Sequence, residues 1–432
     1  MIRSPAAPSL LLASVLLAAA CTPPASPPTY HRDVEPIVRA RCAPCHDGMG
    51  VAPFPLLSFE HVYAQRERVK ASVVGRTMPP WGARSSCADY QADWSLSAAQ
   101  IATVAQWVDD GALEGEAAPE RLLAEAPLVP GLSRVDLTLT MPETYTPVRK
   151  PSDYRCFILE WPEAGSTYIT GFRARPGNQA LVHHAIAYAV PPAHRAVFQA
   201  LDDAEPGLGY ACPAGPGFID RRVTWVGAWE PGSLGDEYPA GTGFSVGPGS
   251  AIVIQMHYDT ESGAGGSDRS TFEFKLEQRV EKEASVMPWA DPAWITTDTG
   301  MLISAGAADV SHSYFSDPTP LMFGGDALLI RGVSIHMHQL GIGGTLSILR
   351  ADGSRECLLD VPRWDFSWQR SYLLTRAKPL YPGDRLGIEC HWDNSAEHQP
   401  LVDGQRLPPR DLSWGGDTSD EMCLGAFFVS RL

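Results

Sequence analysis

Val333-Ser334-Ile335-His336-Met337-His338 decides how the rest of the chain is read. Side chains on a β-strand alternate between its two faces. Val333, Ile335 and Met337 therefore form one apolar face, while Ser334, His336 and His338 share the other. Two imidazoles a single alternation apart can grip one metal ion. Taken alone, the pair also reads as polar decoration of a half-exposed sheet. The same alternation recurs at Val135, Leu137, Leu139 and Met141, which interleave with Asp136, Thr138 and Thr140. From there, short apolar runs separated by turn residues continue to the C-terminus. The chain holds 39 Gly and 38 Pro in 432 residues, a length that predicts two or three domains. The region from Val135 onward is expected to be all-β, as two sandwiches of jelly-roll type.

Hydrophobic residues make up 44%, enough to build real cores. Lys plus Arg number 34 against 50 Asp plus Glu, a formal charge of −16. So acidic a chain repels phosphate backbones, which argues against a nucleic-acid partner.

Arg3 precedes an apolar run from Leu10 to Ala20 that ends Ala18-Ala19-Ala20-Cys21. A positive start, a short apolar segment and small residues make a secretory signal peptide, too short for a comfortable membrane span. A Cys directly after the small residues resembles a bacterial lipoprotein signal, lipidated here at Cys21. The usual Leu stands one place early, at Leu17, with Ala18 in its position; an ordinary cleaved signal is the alternative. Either way the protein is expected to be exported, which permits disulfides. The expectation is a periplasmic or outer-membrane-anchored lipoprotein of a Gram-negative bacterium, touching the membrane through its lipid alone. Residues 22–28 form a Pro-rich tether.

Arg41-Cys42-Ala43-Pro44-Cys45-His46 carries C-x-x-C-H, the attachment pattern of covalent haem c. The thiols of Cys42 and Cys45 bond the haem vinyl groups, and His46 ligates iron. A redox CxxC pair or a zinc half-site is the alternative, but export and the following His favour haem. Ahead of it, Val34, Ile37, Val38 and Arg41 have helical spacing, with Asp33 as a cap and Pro36 tolerated in the first turn. Met78, in Arg76-Thr77-Met78-Pro79-Pro80-Trp81, is the candidate second axial ligand; Met49 lies too close to His46. Ser97-Ala98-Ala99-Gln100 is a capping box. Ile101, Val104, Ala105 and Val108 then line one helix face that Gly111 ends. Together these elements resemble a small all-α class I-like cytochrome c domain over residues 29–116. Residues 117–134 read as a linker, with a short helix at Arg121 to Ala126.

Three further places carry metal-ligand residues. Leu181-Val182-His183-His184 has adjacent histidines, which on a regular strand point apart. Sharing one metal requires a bend there or different ring nitrogens; a strand end is the plainer reading. Ile254-Gln255-Met256-His257-Tyr258 lies in an apolar run, where a lone His is usually a satisfied core or edge residue. Trp414 to Cys423 precedes a strand on which Met422, Leu424, Ala426 and Phe428 share a face.

This set, in this order, resembles the copper type II ascorbate-dependent monooxygenases, the family of the peptide-amidating hydroxylase and dopamine β-monooxygenase. The resemblance runs from about Val135 to Leu432. It is most specific at Gly415 to Cys423, then at His336-Met337-His338-Gln339-Leu340-Gly341 and Gln255 to Tyr258. It implies two β-sandwich domains, here residues 135–283 and 284–432, each holding one copper and facing the other across a water-filled cleft. By resemblance, His183, His184 and His257 hold the electron-storing copper. His336, His338 and Met422 hold the copper that binds oxygen and hydroxylates. A thioether favours Cu(I), so an all-His site and a His/Met site are physically different coppers. Ser334 would look into the cleft beside His336 and His338.

The departures also matter. Ser334 stands where the peptide-amidating enzyme has an Arg that grips a carboxylate, and its other substrate-contacting polar positions fall at Leu424 and Ala426. The implied substrate is a small apolar or uncharged molecule. Gln339 replaces a third His that is not a ligand. By resemblance, Cys390 pairs with Cys423. Cys156 and Cys212 fall near family cystine positions, though Val190 replaces one family Cys. Cys87 and Cys357 are left without a partner.

The implied reaction is hydroxylation of a C–H bond with molecular oxygen. Electrons come from ascorbate or a redox partner protein, with the fused haem as a relay. The alternatives are a non-catalytic copper and haem electron-transfer or copper-binding surface lipoprotein, and adhesive sandwiches with decorative histidines.

Overall fold

The computed structural model describes residues 26–48, 52–117, 131–150, 152–213, 215–218, 222–231, 233–260, 265–297, 299–322, 324–402, 405–416 and 419–432. The signal peptide with Cys21, Met49 and the expected linker helix at Arg121 to Ala126 lie outside the described residues.

The N-terminal unit is helical. A π-turn at Tyr30–Val34 leads into α1 (Glu35–Arg41), followed by α2 (Phe59–Ala64), α3 (Arg66–Val74) and α4 (Ala98–Asp109). The capping box opens α4: the Ser97 hydroxyl accepts from Gln100 N at 3.2 Å and Gln100 Oε1 accepts from Ser97 N at 2.9 Å. Gly111, at φ +94°, ends it. Val34, Val38, Val62, Val69, Val104 and Trp107 form this unit's own core.

The rest of the molecule is mostly β. A five-stranded sheet runs β5 (Tyr210–Ala211), β2 (Ser152–Glu160), β9 (Ala251–Asp259), β4 (Val182–Val190), β6 (Thr224–Trp229). A long sheet starts with β1 (Leu137–Thr140), β10 (Thr271–Glu277), β3 (Thr167–Arg175) and β8 (Thr242–Val246), with β7 (Asp236–Glu237) beside β3. It continues through β11 (Lys282–Trp289), β20 (Leu424–Arg431), β13 (Leu328–His336) and β16 (Tyr372–Leu380). A four-stranded sheet runs β12 (Val310–Ser316), β17 (Arg385–Trp392), β14 (Gly341–Leu349), β15 (Arg355–Val361). A small ribbon pairs β18 (Leu401–Val402) with β19 (Gln405–Arg406).

The long sheet is common to both halves, because β11 pairs parallel with β8 and antiparallel with β20. The five-stranded sheet covers its first part, around Phe157, Phe172, Tyr258, Phe272 and Phe274. The four-stranded sheet covers its second part, around Ile330, Ile335, Met337, Leu346, Ile388 and Phe427. The apolar face of the opening stretch, Val333, Ile335 and Met337, is buried in that second core.

The helical unit is not merely tethered. Between α3 and α4 an arm leaves it and enters the second core, which includes Ala83 and Tyr90 and packs against Trp81 and Ala88. Tyr90 Oη donates to Leu358 O at 3.0 Å, and Gln91 N donates to Leu373 O at 2.7 Å. The Trp81 and Tyr90 rings lie 5.0 and 5.2 Å from Tyr372. Cys87 and Cys357, partnerless in sequence, form a disulfide across this seam. Cys156–Cys212 and Cys390–Cys423 also form.

Candidate metal centres

The first centre grows from the pairing of β4 with β9, which sets His184 opposite His257. The register shifts between Val182 and His184. An extra residue in one strand re-aims its side chains, and this is the bend that adjacent histidines needed. His183, His184 and His257 consequently converge, with ligand atoms all within 4.8 Å of one another. The Nδ1 atom of His184 lies 3.2 Å from that of His183 and 3.4 Å from that of His257. A first-row metal ~2.0 Å from each nitrogen in tetrahedral geometry sets ligand nitrogens ~3.3 Å apart. The donor set therefore fits one metal ion bound through three Nδ1 atoms.

The outer partners agree with that choice of nitrogen. His257 Nε2 and Ser152 Oγ lie in hydrogen-bond contact at 3.0 Å, and in the tautomer with the proton on Nε2 the Nδ1 lone pair points to the cluster. The His257 ring stacks on Tyr154, centroids 4.1 Å apart. Burial pushes all three imidazoles below their ordinary pKa, His184 and His257 far below, and neighbouring imidazole charges add to the shift at those two. Neutral imidazole is the form that ligates.

The second centre forms where β13 ends. His336 and His338 share a side, rings 5.1 Å apart. Here Nδ1 is occupied: His336 Nδ1 donates to Gln369 Oε1 at 2.5 Å and His338 Nδ1 to Asp420 O at 3.0 Å. With Nδ1 engaged in this way, Nε2 is the ring nitrogen that would ligate a metal. Burial, then the neighbouring His338, lowers His336 to about 3, against a smaller upward pull from Gln369. β13 pairs with β20 so that Ser334 faces Ala426 and His336 faces Leu424. Carried two residues past the ends of the two strands, the same register would set Met422 opposite His338.

Glu421, unmarked by the sequence reading, ties these ligands together. Its carboxylate accepts from Leu340 N at 2.7 Å, His338 N at 2.9 Å and Trp392 Nε1 at 2.9 Å. Burial pushes it up to about 7 despite those donors. Its one sequence signal is its place inside the Gly415 to Cys423 segment. Gln369 and Phe366, in the loop between β15 and β16, had no signal at all. The Phe366 ring lies 6.4 Å from His183 and 6.1 Å from His338, so an aromatic side chain stands between the two centres. The His336 charge is felt at His184 and His257.

Beside the second centre, Ser334 and Ala426 line a cavity of about 60 Å³ between the halves. Trp225, Tyr238, Phe244 and Phe428 wall it, with Asp236 at one side. Leu424 faces His336 across the ladder instead.

In the helical unit, Cys42 and Cys45 take part in no disulfide. Burial pushes them up to about 12 and about 11. His46 Nδ1 donates to Phe54 O at 2.8 Å, which leaves Nε2 for a metal. Two free thiols with a His held in that orientation fit a thioether-linked haem. Met78 follows α3 with its side chain 36% exposed.

Residues 137–264 match the family model of the copper type II ascorbate-dependent monooxygenase N-terminal domain. The DBH-like monooxygenase protein 1 of Gallus gallus is 21% identical over 269 residues, 57% of this chain and 39% of that protein. The chain thus spans about two fifths of that relative's length. Among solved structures, the major capsid protein P2 of bacteriophage PM2 is 8% identical with a TM-score of 0.27, over 68% of this chain and 97% of that one. The VP2 subviral particle of infectious bursal disease virus is 10% identical with a TM-score of 0.16, over 68% of this chain and 70% of that one. Likeness this slight carries no argument about fold.

Proposed function

We propose that this protein is an exported copper monooxygenase that hydroxylates a C–H bond of a small organic molecule with molecular oxygen. The observation that carries the reading is the pairing of two unlike donor sets. Three Nδ1 atoms converge at His183, His184 and His257. His336 and His338, each hydrogen-bonded through Nδ1, would offer Nε2, with Met422 read as the sulfur donor of the same set. The family match over residues 137–264 supports copper as the metal. Bound copper would supply the electron transfer and oxygen activation that side chains cannot.

The chain's own residues do the rest. Gln369 and the Asp420 carbonyl orient the two imidazoles, and Glu421, next in sequence to Met422, holds the turn from His338 to Leu340. The aromatic walls around Ser334 and Ala426 favour a small apolar or uncharged substrate. The fused helical unit is read as a haem c domain held by Cys42, Cys45 and His46, with Met78 as the candidate second ligand, and it supplies electrons to copper. Export, with lipid anchoring at Cys21, is part of the proposal; three disulfides among the described residues support an oxidising compartment.

The test is oxygen uptake by the copper-loaded protein across a panel of small apolar substrates. The expected result is uptake that requires both copper and substrate and is lost in Met422→Ile. Uptake unchanged in Met422→Ile contradicts the assignment.

A further inference from the structure

One segment of the second half, Arg363 to Arg370, reaches every part of the molecule that carries chemistry. Arg363 donates to the Gly75 carbonyl at 3.0 Å and to the Arg76 carbonyl, at the end of α3. Trp364 Nε1 donates to His338 O at 3.0 Å. Phe366 stands between His183 and His338. Gln369 holds His336.

Arg370 is the three-way junction. Its guanidinium lies 4.4 Å over the Trp94 ring and 5.6 Å over the Trp81 ring, both of the helical unit. Its Nη2 pairs with Glu230 Oε1 of the first half at 3.1 Å, the two side chains being 9% and 8% exposed. A cation held between aromatic faces and paired to a carboxylate out of water is a rigid contact. Burial pushes the Cys45 thiol up, Arg370 pulls against it, and Asp47 and Glu230 add to it, so the thiol lies within electrostatic reach of this pair. The Cys87–Cys357 disulfide and the arm from Trp81 to Tyr90 keep the helical unit fixed there.

Resting on the reading of CxxCH as a haem site, we propose that this segment is the electron path into the copper domains. We further propose that the electron arrives first at the His336, His338 and Met422 centre. The path runs from Trp94 to Arg370, along one peptide unit to Gln369, and across a hydrogen bond to His336. Glu230 ends in the other half, but among the described residues it makes no hydrogen bond to His183, His184 or His257. Those histidines are reached from this segment only further along, through Phe366 and Ser367. With both groups bound, one electron would pass from haem iron(II) to copper(II), giving iron(III) and copper(I), with no bond broken and no proton moved. A soluble one-electron donor re-reduces the haem.

The experiment uses the full chain, matured with haem and loaded with copper(II), mixed without oxygen with less than one electron equivalent of dithionite per haem, with the haem-free Cys42→Ala, Cys45→Ala chain as the control for direct reduction of copper. Haem reoxidation is followed by absorbance and copper(II) by its paramagnetic resonance. Transfer is expected to persist when His183→Ala and His257→Ala empty the first centre, and to vanish when His338→Ala disables the second. Arg370→Gln is expected to slow it by about tenfold or more, the scale of lost outer-shell contacts, with haem spectrum and copper content unchanged. In Arg370→Lys the pair with Glu230 survives and the planar face on Trp94 is lost; the rate is expected to stay slow while the fold holds. Transfer that survives His338→Ala and vanishes in the double variant overturns the path alone, as does a wild-type rate in Arg370→Gln. Copper uptake without covalent haem overturns the haem reading and the path together.

Discussion

At the first centre, His183, His184 and His257 turn their Nδ1 atoms inward, and Ser152 holds the far nitrogen of one of them. At the second, Gln369 and the Asp420 carbonyl hold Nδ1 of His336 and His338, so Nε2 is the nitrogen that would ligate, with Met422 as the proposed third donor. The first centre is assembled within one sheet, by the register of β4 on β9 and a single bulge. The second draws on the end of β13, the approach to β20, the buried carboxylate of Glu421 and a loop from between β15 and β16. A centre made by sheet register should tolerate changes elsewhere, and a centre made by converging loops should not.

Ligand deletion is the strongest way to break this comparison. His257→Ala should remove one whole copper equivalent and leave the second centre filled; His338→Ala should do the reverse. Metal analysis with Cu(I) titration reads both, and a variant that empties both centres would show them to be one unit.

Acid should strain the first centre most. Below about 6.5 the unfolded chain protonates imidazoles that burial keeps neutral in the fold, so stability falls as pH drops. Glu421 and Glu230, raised by burial to about 7 from 4.5, take protons earlier in the folded state and offset part of that loss. Asp236 and Asp202, also raised by burial, add to that offset. Carboxylates held low against burial by their hydrogen-bond partners, Glu205, Glu237, Glu356 and Asp384 among them, lose stability together with the four imidazoles. The metal-free protein is expected to be less stable at pH 4.5 than at 6.5. Three of the four imidazoles belong to the first centre. Chemical denaturation across that range checks the sign; stability that rises on acidification refutes it.

The seam disulfide gives a mid-sized effect. Replacing Cys87 and Cys357 by Ser should cost ~2–4 kcal/mol in denaturant unfolding. Copper at the first centre should be indifferent to it. The smallest effects sharpen the comparison from outside the ligand shell. Gln369→Leu should weaken copper ~10–100-fold at the second centre only, and Ser152→Ala should do likewise at the first only.

How much of this was legible in the sequence differs between the centres. Strand alternation alone put His336 and His338 on one face, because period two survives any detail of packing. It set His183 and His184 apart, since a bulge leaves no local signature in Leu181 to Ala185. Met422 came from resemblance, and the register of β13 on β20 supplies its physical reason. Cysteine spacing cannot give connectivity, so the Cys87–Cys357 bridge needed the fold. The helical periodicity and capping box around the CxxCH motif predicted helices where they lie, but nothing in Trp81 to Tyr90 announced an arm packed in another core. Gln369, Phe366 and Arg370 lie in a turn-rich loop without periodicity, where function depends on what the loop happens to face.

The central claim is that two chemically different copper centres share this chain. X-ray absorption at the copper edge of the Cu(I) protein tests it most directly. The account predicts a sulfur scatterer alongside imidazole nitrogen, lost in Met422→Ala and retained in His257→Ala. A spectrum of nitrogen and oxygen scatterers alone, unchanged by Met422→Ala, would contradict it.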